Sequence, residues 1–417
     1  MKEKFKLTPL ERGWMLYDVG NSAFILLVST LIPIYFNSLA EAGGVSSSDY
    51  LAYWGYAGSL ATLIVAFLGP VCGTLADQKG FKKPLFLLCL ALGTAGCCML
   101  GSVGTWIAFL VMFVIARVGY NLSIVFYDAM LPEVTTPERM DNVSSLGYAY
   151  GYIGSVIPFA VCLVMALNPD LLGGMGNAMM ACFLLTGVWW VLMTLPLLRR
   201  YKQTAYVDRV GNPVATTFRQ LGKTLKNIRS EKHVFLYLLA FFFFIDGVYT
   251  IIDMATAYGT ALGLDTTGLL LALLVTQIVA FPFAILFGRL AGKYNTGLLI
   301  KICIAAYIFI AVFAIFLRSQ WQFWTLAVMV GMFQGGIQAL SRSYMGKIIK
   351  PERSGEYYGI MDICGKGASF VGTTLVAFVS QVTGNESIAV GAIGIIFVIG
   401  FFLFCKADRA CQKYMVK

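Results

Sequence analysis

Charge is what this sequence has least of: 12% of its 417 residues are Asp, Glu, Lys or Arg, against 59% hydrophobic. A water-soluble globule carries about 25% charged residues, so the composition excludes one and points to a chain solvated by lipid. Histidine is nearly absent, His233 being the single example, which removes any His-rich metal site. The ten cysteines sit mostly within apolar runs and include no CxxC pair, so neither a disulfide framework nor a zinc site is indicated. There is no Walker loop, no nucleophile beside a basic partner and no acid pair in a soluble segment. ATP-driven transport and conventional hydrolysis are therefore unsupported; the chain reads as a non-enzyme that needs no cofactor and no metal. A cleavable leader is not evident, because residues 1–13 are charged and short and the apolar run after them is too long for a signal core.

What is abundant is apolar length. Runs of about twenty residues, enough to cross a bilayer, fall near Trp14 to Leu39, Leu51 to Ala76, Pro84 to Val103, Trp106 to Leu131, Val143 to Leu167 and Ala178 to Leu198. Six more fall near Val234 to Leu262, Gly268 to Leu290, Gly297 to Leu317, Phe323 to Tyr344, Tyr357 to Val382 and Ile388 to Cys405. With the N-terminus placed inside, only Arg318 of the 31 lysines and arginines falls outside, and only Arg117, Arg342 and Lys366 fall within spans. The rest crowd the side that the positive-inside rule makes the cytoplasm. The net charge of +10 is thus an orientation signal, not a nucleic-acid footprint. The expectation is an all-α, multi-pass protein of the cytoplasmic membrane, with twelve helices, both termini cytoplasmic, contacts to lipid, and a monomeric state.

Between the sixth and seventh spans lies a basic segment with a break at Gly211, Asn212 and Pro213. It divides the chain into a six-helix lobe (1–198), a cytoplasmic linker (199–232) and a second six-helix lobe (233–417). The part from Thr217 to Ile228 can be an amphipathic helix lying on anionic headgroups or a merely solvated linker. The halves also repeat: Gly73 recurs as Gly288, Pro137-Glu138-Arg139 as Pro351-Glu352-Arg353, and Gly151 as Gly365. A repeat of parallel six-helix units is what two-lobed transporters show, with the substrate between lobes at mid-membrane. After Gly73 the chain runs through Asp77, Gly80, Lys82 and Lys83, a tight polar turn whose lysines belong in an aqueous loop. Asp77 can clasp a neighbouring helix N-terminus when the inner side is closed. Gly292 stands where the second half would place its matching acid, so a single clasp is expected.

A charge in hydrocarbon costs about 2.5 to 3.5 kcal/mol at helix centre, so each one needs a partner or a wet cavity. On the seventh span Asp246, Tyr249, Thr250 and Asp253 share one stripe. Asp246 lies roughly 18 Å along its helix, close to the midplane, and is the first candidate for a proton-titrating or amine-binding acid; a static ion pair is the plainer alternative. The first span carries Asp18, Asn21 and Ser22 on one face, and the fourth carries Arg117, Asn121 and Asp128. Asp18 and Asp128 lie nearer the cytoplasmic ends and read as a gate pair, with Asp18 and Asp253 kept as further proton-coupling candidates. Arg117 is deeper and always charged, so it can hold a substrate carboxylate but cannot carry the coupling proton; a structural or relay role is the alternative. In the second lobe Gln338 and Arg342 share the tenth span, and Asp362 and Lys366 stand four apart on the eleventh, where they can neutralise each other unless a substrate anion competes. On the fifth span Gly147, Gly151 and Gly154 form a packing strip while Tyr148 and Tyr152 crowd another side. Pro33, Pro158 and Pro282 mark candidate bends.

The turn from Gly73 to Lys83 resembles the signature loop between helices 2 and 3 of the major facilitator superfamily, with Gln78 and Phe81 standing where that family usually has basic residues. Arg117-Val-Gly119 is similar to its helix-4 arginine motif. Five longer stretches, starting at Trp14, Phe126, Val143, Gly335 and Glu356, together resemble the bacterial "unknown major facilitator" family, related to the autophagy-linked vacuolar amino-acid effluxer of fungi. The resemblance implies the major facilitator fold and secondary transport of a small organic solute by alternating access, with an amino acid or related zwitterion as first choice and protons as coupling ion. On this reading Asn21, Arg117, Asn121, Tyr148, Tyr152, Asp246, Tyr249, Gln338 and Lys366 line the substrate site, while Asp77, Asp128, Arg342 and Asp362 serve as gates. Transport of sugars, organic acids or amphiphiles, or a non-transporting binding or signalling protein on the same fold, are the alternatives. Orientation is testable directly: a cysteine at Ser47 reacts with an impermeant reagent added outside sealed cells and one at Gly211 does not, the reverse pattern overturning the topology.

Overall fold

The computed structural model describes residues 5–208, 211–227, 229–261, 263–384 and 386–415. The side chains of a few helix positions, Asp253 and Ser369 among them, lie outside that description. In a lipid-solvated chain each backbone polar group must be satisfied within its own segment, so the apolar runs become helices. They are α1 (Pro9–Val28), α2 (Leu31–Ala42), α3 (Ser47–Ala76), α4 (Lys82–Met99), α5 (Trp106–Val134), α6 (Met140–Leu167) and α7 (Met175–Arg200). After α8 (Pro213–Asn227) come α9 (Lys232–Ala261), α10 (Thr266–Ala291), α11 (Thr296–Ile315), α12 (Gln320–Ile348), α13 (Ser354–Thr383) and α14 (Glu386–Met415). With α1 and α2 counted as one, twelve among the described residues are long and apolar enough to cross a membrane.

α1 and α2 are halves of one span, broken at Ser29 and Thr30, where Thr30 takes φ −134° and ψ −82°. Pro33 explains the position: it lacks the N–H that would bind the Ser29 carbonyl four residues back, and its ring would collide with that carbonyl. The hydroxyls of Ser29 and Thr30 instead donate to the carbonyls of Ile25 (3.1 Å) and Leu26 (2.6 Å). Pro158 and Pro282 remain inside continuous helices.

Buried apolar side chains gather into two clusters, one running from Trp14 to Tyr201 and the other from Val234 to Cys411 with Ala129 added from the first lobe. Both described chain ends lie at one face of the bundle, where His233 stacks on Tyr414 at 4.0 Å and Arg139 donates to the Lys6 carbonyl. This terminal face is also where the lobes meet most closely, α3 against α13 and α6 against α10. The repeated glycines make that approach possible. A Cβ on Gly73 would lie 2.1 Å from the Gly355 carbonyl oxygen, and one on Gly288 would lie 2.7 Å from Ser145 Cβ. The strip of Gly147, Gly151 and Gly154 has a different use, bringing α6 onto α1 against Asp18, Ser22 and Val19. Overpacking such a contact costs about 1–3 kcal/mol. Gly73→Ala is therefore expected to depopulate the state closed at the terminal face, read as a longer spin-label distance between exposed positions Lys79 and Lys350; an unchanged distribution would deny the contact its role.

Candidate functional site

The closed terminal face is held by polar groups crossing between lobes. Asp77, fully buried at the end of α3, accepts from the backbone N–H groups of Gly355 (2.7 Å) and Glu356 (2.8 Å) in the first turn of α13. The unsatisfied donors and positive dipole end of a helix N-terminus suit a carboxylate. Lys82, expected in an aqueous loop, is instead fully buried. Its Nζ donates to Glu133 Oε1 (2.7 Å) and Ser354 Oγ (2.9 Å) and stands 3.8 Å from Asp77. The reason is charge balance, since two buried carboxylates need a cation between them.

A second acid crosses between the lobes, bonded to side chains and not to a helix N-terminus, a contact the sequence reading did not anticipate. On the pseudo-symmetric side Asp141, in the first turn of α6, accepts from Thr296 Oγ1 (2.8 Å), from Ser343 Oγ (2.6 Å) and from Lys347 Nζ. The acid has moved from the loop to the facing helix, so Gly292 needs no carboxylate. Its signal in the sequence was the repeat itself: Asp141 falls just after Pro137-Glu138-Arg139, as Glu356 falls after Pro351-Glu352-Arg353.

Deeper in, Arg342 of α12 reaches into the first lobe. Its guanidinium donates to Asp128 Oδ1 (3.1 Å), Asp18 Oδ2 (3.4 Å), Ser144 Oγ (2.9 Å) and the Ser144 carbonyl (2.9 Å). It also lies over the rings of Tyr148 (4.3 Å) and Trp14 (4.6 Å). The planar fork of arginine fits this mixture of acceptors and ring faces in a way lysine would not. Asp18 takes a further bond from Tyr127 Oη (2.8 Å), and Asn21 spends its amide on the Tyr17 carbonyl (2.9 Å) and Asp18 within its own helix. Asn21 is thus buried, with its amide bonded within α1 beside Asp18.

Beyond the Arg342 cluster, Asp362 and Lys366 of α13 pair with each other, and among the described residues no hydrogen-bond donor reaches the buried Asp362 Oδ2. That oxygen points across the lobe boundary, 4.0 Å from where a Cβ on Gly69 of α3 would stand. Arg117 and Asp128 lie within electrostatic reach of Lys366. Tyr152 donates to Gln338 Oε1 (3.1 Å), its ring is 6.1 Å from that of Tyr148, and Tyr249 packs against Gly365 beside them. Asn121 is buried on α5. The structure places Asp246 elsewhere than expected: it is 1% exposed inside the second lobe, where Oδ1 accepts from the Gly372 N–H of α13 (2.9 Å) and from Thr250 (3.4 Å). Among the described residues no cation pairs with it. A Cβ at Gly372 would lie 2.7 Å from its carboxylate, so the glycine is what admits the acid between α9 and α13. Asp253 lies outside the described side chains.

Twelve spans in two lobes, meeting across a charged interface that closes at one face, define a major facilitator transporter. Solved structures of that fold agree: the human organic anion transporter MFSD10 superposes with a TM-score of 0.71 at 15% identity, covering 95% of this chain and 98% of that one. FucP in its outward conformation gives 0.71 at 15% identity, covering 96% and 97%. A family model described as "Vacuole effluxer Atg22 like" matches residues 10–139 and 134–413. The chain is 39% identical to the MFS-type transporter YxiO of Bacillus subtilis over 95% of this chain and 94% of that protein. It is 25% identical to autophagy-related protein 22-1 of Emericella nidulans, spanning 58% of this chain and 46% of that longer one. The chain belongs to the Atg22-like family.

Because the two clasps are chemically independent, Asp77→Asn and Asp141→Asn are each expected to shift the Lys79–Lys350 distance distribution toward the open terminal face. A loss of about 1–2 kcal/mol apiece corresponds to a five- to thirtyfold change in the ratio of states. The double variant should show the sum; a silent Asp141→Asn would remove the second clasp from the account.

Proposed function

We propose that this transporter moves a small zwitterion, an amino acid or close relative, across the cytoplasmic membrane by alternating access with protons as coupling ion, the terminal face being cytoplasmic. The distribution of basic residues supports the orientation. The observation that supports the substrate class is Asp362 Oδ2 beside Lys366, buried with no donor among the described residues, and Arg117 within electrostatic range of that lysine. A buried carboxylate oxygen without a donor is costly, and a substrate ammonium would satisfy it. The substrate carboxylate would meet Arg117 and Lys366, so that both charged ends of a zwitterion are matched in a dry site. Tyr148, Tyr152, Tyr249 and Gln338 would shape the rest of the cavity.

Coupling is assigned to Asp246. Among the described residues no cation stands beside this buried carboxyl, so a proton, not an ion pair, is what would neutralise it. Its contact with the Gly372 N–H is to α13, the helix whose first turn Asp77 holds, so its protonation state acts on the element that opens and closes the terminal face. Arg117 cannot serve, because it keeps its charge at any reachable pH.

Two outcomes follow. In a ligand-stabilisation screen against amino acids, peptides, sugars and organic acids, zwitterions should raise the melting temperature of the parent, and Asp362→Asn should weaken that binding about tenfold or more; stabilisation by a sugar alone would refute the substrate class. In proteoliposomes loaded with the solute so found, Asp246→Asn should lose accumulation driven by a pH gradient yet retain exchange without one, and full gradient-driven accumulation by the variant would move coupling away from Asp246.

A further inference from the structure

α8 is the one helix of more than a single turn among the described residues that is not a membrane span, and its two faces meet different surroundings. The inward face is bonded to both lobes. Gln78 Nε2 donates to the Pro213 carbonyl (2.9 Å) and to Thr217 Oγ1 (3.0 Å). From the second lobe Arg353 donates to Thr224, and Glu356 Oε2 accepts from Gln220 Nε2 (3.0 Å). Glu356 is also the residue whose backbone N–H binds Asp77, so α8 straps the same helix end that the clasp holds.

The outward face is amphipathic in a particular way. Val214 and Phe218, one turn apart, are 57% and 51% exposed. Beside and beyond them stand Arg219, Lys223 and Lys226, all exposed, and α8 contains no acid to balance them. Height decides what such a face can meet. Gln78 follows the end of the α3 span at Ala76 by two residues, and α8 is hydrogen-bonded to it, which places the helix within the headgroup zone that flanks a roughly 30 Å hydrocarbon core. Free phosphate would satisfy the cations but not the two apolar side chains, whereas an anionic leaflet satisfies both.

We propose that α8 docks on anionic phospholipid and that an anionic bilayer thereby favours the closed terminal face, with Val214 and Phe218 entering the acyl boundary and Arg219, Lys223 and Lys226 meeting phosphates. Hydrogen exchange of the full chain in nanodiscs tests it. In phosphatidylglycerol discs, amides of 213–227 should exchange about fivefold or more slower than in phosphatidylcholine discs, and those of 354–362 should slow with them. The triple variant Arg219→Gln, Lys223→Gln, Lys226→Gln should lose both effects. Gln220→Ala, which leaves the lipid face intact, should keep the response of α8 and lose that of 354–362. Inorganic phosphate or glycerol phosphate added to phosphatidylcholine discs should reproduce neither. Equal exchange in the two lipids, a full response to free phosphate, or a lipid response retained by the triple variant would overturn the docking; slowing of α8 without 354–362 in the parent would overturn its link to the clasp.

Discussion

The guanidinium of Arg342 is the point on which the closed face depends. It sits 3% exposed between lobes, and its acceptors on Asp18, Asp128 and Ser144 all belong to the other lobe. Breaking one side of a buried ion pair leaves uncompensated charge in low dielectric, a cost of about 3–5 kcal/mol. Intermediate separations, too wide for hydrogen bonds and too narrow for water, are therefore the worst arrangement. An interface that is favoured fully made or fully hydrated, and not between, is the kind of bistable element that alternating access requires.

The other constraints converge on α13. Its first turn is held by Asp77, its first carboxylate is strapped by α8, its middle carries Asp362 and Lys366, and its Gly372 N–H is held by Asp246. One helix therefore carries these contacts, from its first turn to Gly372. On the proposed assignment, substrate at Asp362 and a proton at Asp246 would both act on this one helix, whose first turn the Asp77 clasp holds. The small residues Gly355, Gly359 and Gly372 let these contacts be made at backbone distance.

Much of this was legible in the sequence because hydrocarbon makes charge and span length conspicuous. Asp18, Asp128, Arg342, Asp362 and Lys366 stood out as polar groups in apolar runs and Asp77 as the acid of a polar turn, and the structure brings all six to the lobe boundary or its flanks. Lys82 and Asp141 did not stand out. Each lies at the first turn of a span, where charge is ordinary, and each is buried against partners that include the other lobe. Asp246 was visible as a deep acid, but which way it faced depended on Gly372, more than a hundred residues away. Pro33 marked a bend correctly while the break fell four residues earlier, at the carbonyl its missing N–H abandons.

The most direct measurement records both mouths in the same molecules. Spin-label pairs across the terminal face (Lys79 with Lys350) and across the opposite face (Gly104 with Phe316), all at exposed positions, would be followed by pulsed dipolar spectroscopy as pH and solute are varied. The account predicts that every condition that lengthens one distance shortens the other, as two lobes rocking about a central site must. Two distances that lengthen together, or that stay fixed while solute is transported, would contradict it.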